Sequence, residues 1–136
     1  MKKHGWITVS TVLALLALPL AATAGPAAKS KPHGAVNHVV FTWMADGHKS
    51  PQDIQRLIDG EQMLRKIPGL LSMRIGTPVP STRPNEDASY DIASYFRFRS
   101  IEAMHEYLKN PIHIKFLNEY AKGNVKRILV YDFQEP

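Results

Sequence analysis

The stretch SYDIASYFRFRSIEAMHEYLKNPIHIKFLNEY, residues 89–120, changes its periodicity halfway along. From Ser89 to Phe98 the residues alternate, with Tyr90, Ile92, Ser94, Phe96 and Phe98 on one side and Asp91, Ala93, Tyr95 and Arg97 on the other, the period of a half-buried strand. After Ser100, a helix N-cap, the apolar residues Ile101, Met104 and Leu108 recur at helical spacing and are expected to point inward. Asn110-Pro111 then breaks the pattern. Proline has no N–H and disfavours helical backbone in the residue before it, so one helix is predicted to end near Lys109 and another to start at Pro111, capped by Asn110. Ile112, Phe116, Leu117 and Tyr120 share one face of that second helix.

Working outward, the first half of the chain uses the same grammar. VNHVVFTWM, Val36 to Met44, is dense in β-branched and aromatic residues, with Val39, Phe41 and Trp43 on one face and His38, Val40 and Thr42 on the other. Both faces are largely apolar, which predicts a central strand. Ser50-Pro51-Gln52-Asp53 opens a helix, with Ser as cap, Pro in the first helical position and an acid three residues after the cap. That helix is expected to reach about Lys66, with Ile54, Leu57, Ile58 and Leu64 on one face, and to stop at IPGL. LLSMRIGT, Leu70 to Thr77, reads as a strand, PVPSTRPNEDAS as a polar loop, and VKRILVYDF, Val125 to Phe133, as the closing strand.

The resulting order is β-α-β-β-α-β with the second helix in two pieces, an α+β chain of ferredoxin-like, split βαβ type whose antiparallel sheet carries helices on one face. The other face is left bare, and its apolar side chains predict contact with a second copy.

Residues 1–24 have the three parts of a secretory signal: the basic start Met1-Lys2-Lys3-His4, a short apolar run from Ile7 to Leu20, and a small-x-small site at Ala22-Thr23-Ala24. Cleavage after Ala24 is expected, with export to the periplasm or beyond the cell in a bacterium. GPAAKSKPHG and Ala35, residues 25–35, carry no large apolar residue and read as a flexible leader. The domain itself is placed at 36–134. No later segment reaches the roughly 20 apolar residues of a spanning helix.

Cysteine is absent, which excludes disulfides, thiolate nucleophiles, cysteine zinc sites and an acyl-cysteine anchor. Of the 17 Lys and Arg, Lys2 and Lys3 belong to the signal, leaving 15 against 12 acids and a net charge of +3. These cations are scattered rather than clustered on one face, so no nucleic-acid partner is expected. Nor is there an H-x-H, an H-E-x-x-H, a nucleotide-binding glycine pattern or a nucleophile elbow, so neither a metal nor a cofactor is expected.

NHVVFTWM, KIPGLLSMRIG, YDIASYFRFRSIEAMHEYLKNPIHIKF and ILVYDF together resemble, in that order, the stress-responsive dimeric α/β barrel (Dabb) family. The resemblance implies a ferredoxin-like monomer that pairs its sheet with that of a second subunit to form a homodimeric barrel. It also implies a pocket, because one branch, the plant polyketide cyclases, works without a cofactor using a His and a Tyr. Tyr107 and His113 fall at those two positions, His38 falls on the His of that branch's first strand, Ile92 replaces another pocket His, and Asn110 replaces the first His of its His-Pro-x-His run.

His113 is the candidate proton acceptor and Tyr107 the candidate donor to a developing oxyanion. His38, Ile92 and Phe96 are the candidate ligand contacts. A His after a cap-proline turn also has a structural use, tying the first turn of its helix to the sheet, and a His inside an apolar strand needs a hydrogen-bond partner of its own, for which the candidates are Tyr107, His113 and a main-chain carbonyl. Three functions are consistent with these residues. The first is an exported protein binding a small apolar or aromatic molecule between sheet and helices. The second is a cofactor-free acid/base enzyme, cyclase-like or lyase-like, for which export argues against a coenzyme A thioester as substrate. The third is a stress-protective oligomer.

Overall fold

The computed structural model describes residues 34–136. The expected signal peptide and residues 25–33 of the expected leader lie outside the described residues. The last leader residues are already tied to the sheet, since the Ala35 carbonyl accepts from the Glu135 N–H at 2.8 Å and the Gly34 carbonyl from the Gln134 side chain at 3.2 Å.

The elements follow in the expected order. They are β1 (Val36–Met44), α1 (Pro51–Gln62) running on through a 3-10 turn at Met63–Lys66, β2 (Leu70–Gly76), β3 (Ile92–Phe98), α2 (Ile101–Lys109), α3 (Pro111–Phe116) continued by a π turn at Leu117–Ala121, and β4 (Val125–Gln134). Side chains set each helix start. Ser50 and Asp53 cap α1 reciprocally, the Ser100 hydroxyl accepts from the Ala103 N–H, and the Asn110 side chain accepts from the Ile112 N–H. Each oxygen takes an N–H that the first turn leaves without an intrahelical partner.

The sheet order is β2-β3-β1-β4, and every neighbouring pair is antiparallel. Each βαβ unit is thus split by a strand of the other, the ferredoxin-like arrangement. Register then decides which side chains share a face, because residues directly opposite point the same way. His38, Val40 and Thr42 lie opposite Phe96, Ser94 and Ile92 on β3 and opposite Asp132, Val130 and Ile128 on β4. This set faces the helices. Leu57 and Leu64 from the first helical segment, Met73 from β2, Ile92, Phe96 and Phe98 from β3, and Met104, Tyr107 and Phe116 from the second complete the core. Each such side chain stabilises the fold by about 1.5–3 kcal/mol when fully buried.

The opposite face holds Val39, Phe41, Tyr95, Leu129, Tyr131 and Phe133 with no helix over it, and Tyr131 and Phe133 remain 56 % and 55 % exposed. One corner of it is closed by polar groups: Arg97 makes a bidentate pair with Glu135, Asn37 donates to the same carboxylate, and the Tyr95 hydroxyl donates to Asn37. That pairing lowers the Glu135 pKa to about 2.

Two local expectations are corrected. β3 starts at Ile92 rather than Ser89: the Asp91 N–H still donates to the Thr42 carbonyl at 2.9 Å, but the Met44 N–H beyond it goes to the Asp91 carboxylate at 2.7 Å, and Ser89 meets β1 only through its hydroxyl, which accepts from the Trp43 indole at 3.2 Å. On α2 the buried residues are Ala103, Met104 and Tyr107, while Ile101 and Leu108 are each 39 % exposed. Gly69, at φ +90°, explains the rotation. A Cβ there would stand 2.8 Å from the Ala103 methyl, so the small residue of α2 is turned against the glycine and Tyr107 follows it inward.

Candidate functional site

A cavity of about 200 Å³ lies between the sheet and the helices. His38, Val40 and Phe96 line it from the sheet, Glu61 from α1, Tyr107 from α2 and His113 from α3, while the half-exposed Ile128 and Val130 of edge strand β4 stand at its side. Four of the five candidate residues from the sequence therefore meet in one place. Ile92 does not: it is fully buried in the core and outside the cavity lining.

Tyr107 sits at the centre of this group. Its ring packs 4.9 Å from that of Phe98, 5.6 Å from Phe96 and 4.6 Å from the His113 imidazole. Burial, and then the nearby Glu61 carboxylate, push the phenol pKa well above its ordinary value, so it keeps its proton at neutral pH. No hydrogen bond engages its hydroxyl among the described residues, yet no polar side-chain atom there is sealed away without a partner. The hydroxyl is thus available as a donor to whatever enters.

His113 owes its position to the helix break. The Leu108 carbonyl would ordinarily be taken by the N–H of residue 112, or of residue 111 in a tighter turn. Ile112 instead donates to the Asn110 side chain at 2.9 Å, and Pro111 has no N–H to give. The orphaned carbonyl is bonded by His113 Nδ1 at 3.1 Å. A carbonyl only accepts, so Nδ1 carries the proton and Nε2 keeps the lone pair. Burial holds the His113 pKa below the usual histidine value, with the Leu108 bond acting against it and His38 adding to it. The contact ties α3 to the last turn of α2, not to the sheet as expected, and it also leaves Nε2 available as a base.

His38 is 7 % exposed on β1, and its partner is the residue directly opposite on β4. Nδ1 lies 2.6 Å from Asp132 Oδ1, and a carboxylate there accepts, so the proton again sits on Nδ1 and leaves Nε2 free. Asp132 was not anticipated. Its signal was present, since it is the one acid in the helix-facing alternation of VKRILVYDF, but its pairing with His38 depends on a register across 94 residues.

Glu61 was also missed. It falls on the apolar stripe Ile54, Leu57, Ile58, Leu64, four residues after Leu57, and is 4 % exposed. The Ser94 hydroxyl donates to Oε2 at 2.6 Å. Burial raises the Glu61 pKa to about 7, and the Ser94 bond pulls it the other way. A charged residue at a core position of the helix was the signal that could have found it. No cluster of three or more His, Asp or Glu at metal-binding distance occurs among the described residues.

Known proteins share this architecture. The stress-response A/B barrel domain-containing protein HS1 of Arabidopsis thaliana is 28 % identical over 102 residues, 74 % of this chain and 90 % of that protein. A dimeric ferredoxin-like protein of unknown function from Thermobifida fusca superposes with a TM-score of 0.62 at 16 % identity, covering 75 % of this chain and 92 % of the other. The hydroxynitrile lyase of Passiflora edulis superposes with a TM-score of 0.65 at 20 % identity, covering 78 % and 96 %. At these identities the two structures speak for the fold alone. With the split βαβ order and the helix-covered sheet in place, the match of residues 36–135 to the Stress responsive A/B Barrel Domain, Dabb, shows that this chain belongs to that family.

Proposed function

We propose that the protein binds one compact, mostly apolar molecule in the cavity between its sheet and helices. The observation that carries this reading is the convergence of His38, His113 and Tyr107 on a space of about 200 Å³ with a largely apolar wall. An apolar cavity of about 150 Å³ accepts benzene, so a single aromatic ring with a small substituent is the matching size. Export and homodimer formation belong to the same proposal. The three-part pattern of residues 1–24 supports the first, and the bare aromatic sheet face, together with a dimeric relative of the same fold, supports the second. Binding is tested by following the two imidazole signals by NMR while benzyl alcohol and p-cresol are added. Saturable shifts at His38 and His113 are expected; unmoved imidazoles with both compounds would refute the reading.

A second reading is favoured by one observation, the Asp132 carboxylate behind His38. A base whose far nitrogen is fixed by a carboxylate is held in one tautomer and stabilised when it takes a proton. In this reading His38 and His113 accept protons at Nε2 and Tyr107 donates to the oxygen of a carbonyl compound as charge develops on it. Deuterium uptake from solvent into the methyl group of acetophenone reports such proton transfer directly. Tyr107→Phe and His113→Ala are expected to slow it by roughly 100-fold or more. Exchange at the uncatalysed rate with the unaltered protein would remove this reading and leave the binding one standing.

A further inference from the structure

Glu61 has no assigned part in the proton transfers above, yet it is the only Asp or Glu among the residues that line the cavity. Its environment is unusual for a charge. It is 4 % exposed, it forms no ion pair with any Lys or Arg among the described residues, and no Lys or Arg lines the space it faces. Ser94 satisfies Oε2, while Oε1 has no protein partner among the described residues and is not sealed off. A carboxylate left this way forfeits its hydration without a compensating cation, and protein folds ordinarily avoid that arrangement.

The remaining polar groups around it do not fill the role of counter-ion. His38, from β1, already has Asp132 as its own charge partner. His113, from α3, is held toward its neutral form by burial. Tyr107, from α2, and Ser94, from β3, are neutral hydroxyls. The cavity therefore offers one carboxyl that ionises near pH 7, an apolar wall and hydrogen-bonding neutrals, a combination that favours a cation over an anion.

We propose that the ligand of this cavity is a compact primary amine on an aromatic or similarly apolar body, whose ammonium group is received by Glu61 Oε1. The inference rests on the binding reading above and specifies its ligand class. An ammonium restores to the buried carboxylate the opposite charge that the protein itself does not provide, and its apolar body occupies the space beside Phe96 and Val40.

The test compares three probes of one shape, benzylamine, benzyl alcohol and benzoate, by isothermal titration at pH 7 against the full protein and its Glu61→Gln variant. Benzylamine is expected to bind the unaltered protein roughly 10- to 100-fold more tightly than benzyl alcohol, the range of a hydrogen bond to a charged group, with benzoate weakest. In Glu61→Gln, which keeps a partner for Ser94, that preference is expected to vanish while benzyl alcohol still binds, which also shows that the variant is folded. Benzylamine should release protons on binding to the unaltered protein and none on binding to the variant, because the arriving charge favours the ionised carboxyl. Equal affinity for amine and alcohol, tighter binding of benzoate, or an amine preference that survives in Glu61→Gln would each overturn the proposal while sparing the binding reading. Failure of all three probes to bind would overturn both.

Discussion

The two faces of the sheet are built from alternate residues of the same strands and meet opposite fates. On the helix-covered face the polar side chains, His38, Ser94 and Asp132, each have a partner, and Met73, Ile92, Phe96 and Phe98 of β2 and β3 are almost fully buried, with Ile128 and Val130 of edge strand β4 left half-exposed at the side of the cavity. On the other face the apolar residues at the β4 edge, Tyr131 and Phe133, stay more than half exposed, and Arg127 lies over the Trp43 ring at 4.3 Å. A strand of period two therefore serves two solvents, one provided by its own helices and one that a second subunit would provide. The contrast teaches that burial within one chain marks the part of this domain that folds it, while exposure of aromatic residues marks the part that would assemble it.

The sharpest way to break that contrast is to cut the same amount of ring from each face. Phe98→Ala, on the covered side, is expected to destabilise the chain by about 3–5 kcal/mol, since it opens a cavity in a packed core. Phe133→Ala should cost less than about 1 kcal/mol in dilute protein, where its ring is largely in water already. Urea unfolding of both variants decides it, and similar midpoints would mean that the open face carries as much of the fold as the covered one.

Next in size is a dependence on pH near neutrality, which arises on the covered face. Glu61 titrates near 7 when folded and at 4.5 in an ordinary chain, so between those values the native state holds a proton that the unfolded state has lost. Stability contributed by this group is complete below 4.5 and declines as pH rises through about 7, by roughly 3 kcal/mol in all at about 1.36 kcal/mol per unit. Glu61→Gln should flatten this slope and exceed the unaltered protein in stability at pH 8. A variant with the same pH profile as its parent would show that another group sets it.

The open face is probed by charge. Phe133→Asp is expected to weaken self-association by roughly tenfold or more in sedimentation, because an interface core tolerates an unpaired carboxylate poorly. It should leave the chain's own unfolding nearly unchanged. A sedimentation profile identical to that of the unaltered protein would remove this face from the assembly. The smallest effect is reserved for the helix break: Asn110→Ala, which loses the cap of α3, should cost about 1 kcal/mol. It should also perturb the His113 imidazole signals, a response that a purely local cap would not give.

How much of this was legible in the chain depends on how far the decisive contacts reach. Ser50-Pro51, Ser100 and Asn110-Pro111 act within one helical turn, and the elements they start were readable for that reason. His38, Phe96, Tyr107 and His113 could be named because their residue types stand out in their segments and because the family resemblance pointed to three of them. Asp132 could not be tied to His38, since nothing in either strand announces which residue lies opposite across the sheet. Glu61 was read past because acids on helices mostly face water, whereas this one replaces an apolar residue on the inner stripe. The inner face of α2 was misjudged by one position because Gly69, more than thirty residues earlier, selects Ala103 as the point of closest approach.

The proline that divides the second helix reaches further than the shape of the backbone. By withholding its own N–H, Pro111 leaves the Leu108 carbonyl to His113 and thereby chooses which ring nitrogen of that imidazole holds the hydrogen. Pro111→Ala would return a competing donor to the same carbonyl and free the ring to exchange tautomers. In this small domain an imino acid, with no chemistry of its own, acts as a stereoelectronic setting for a residue two places downstream.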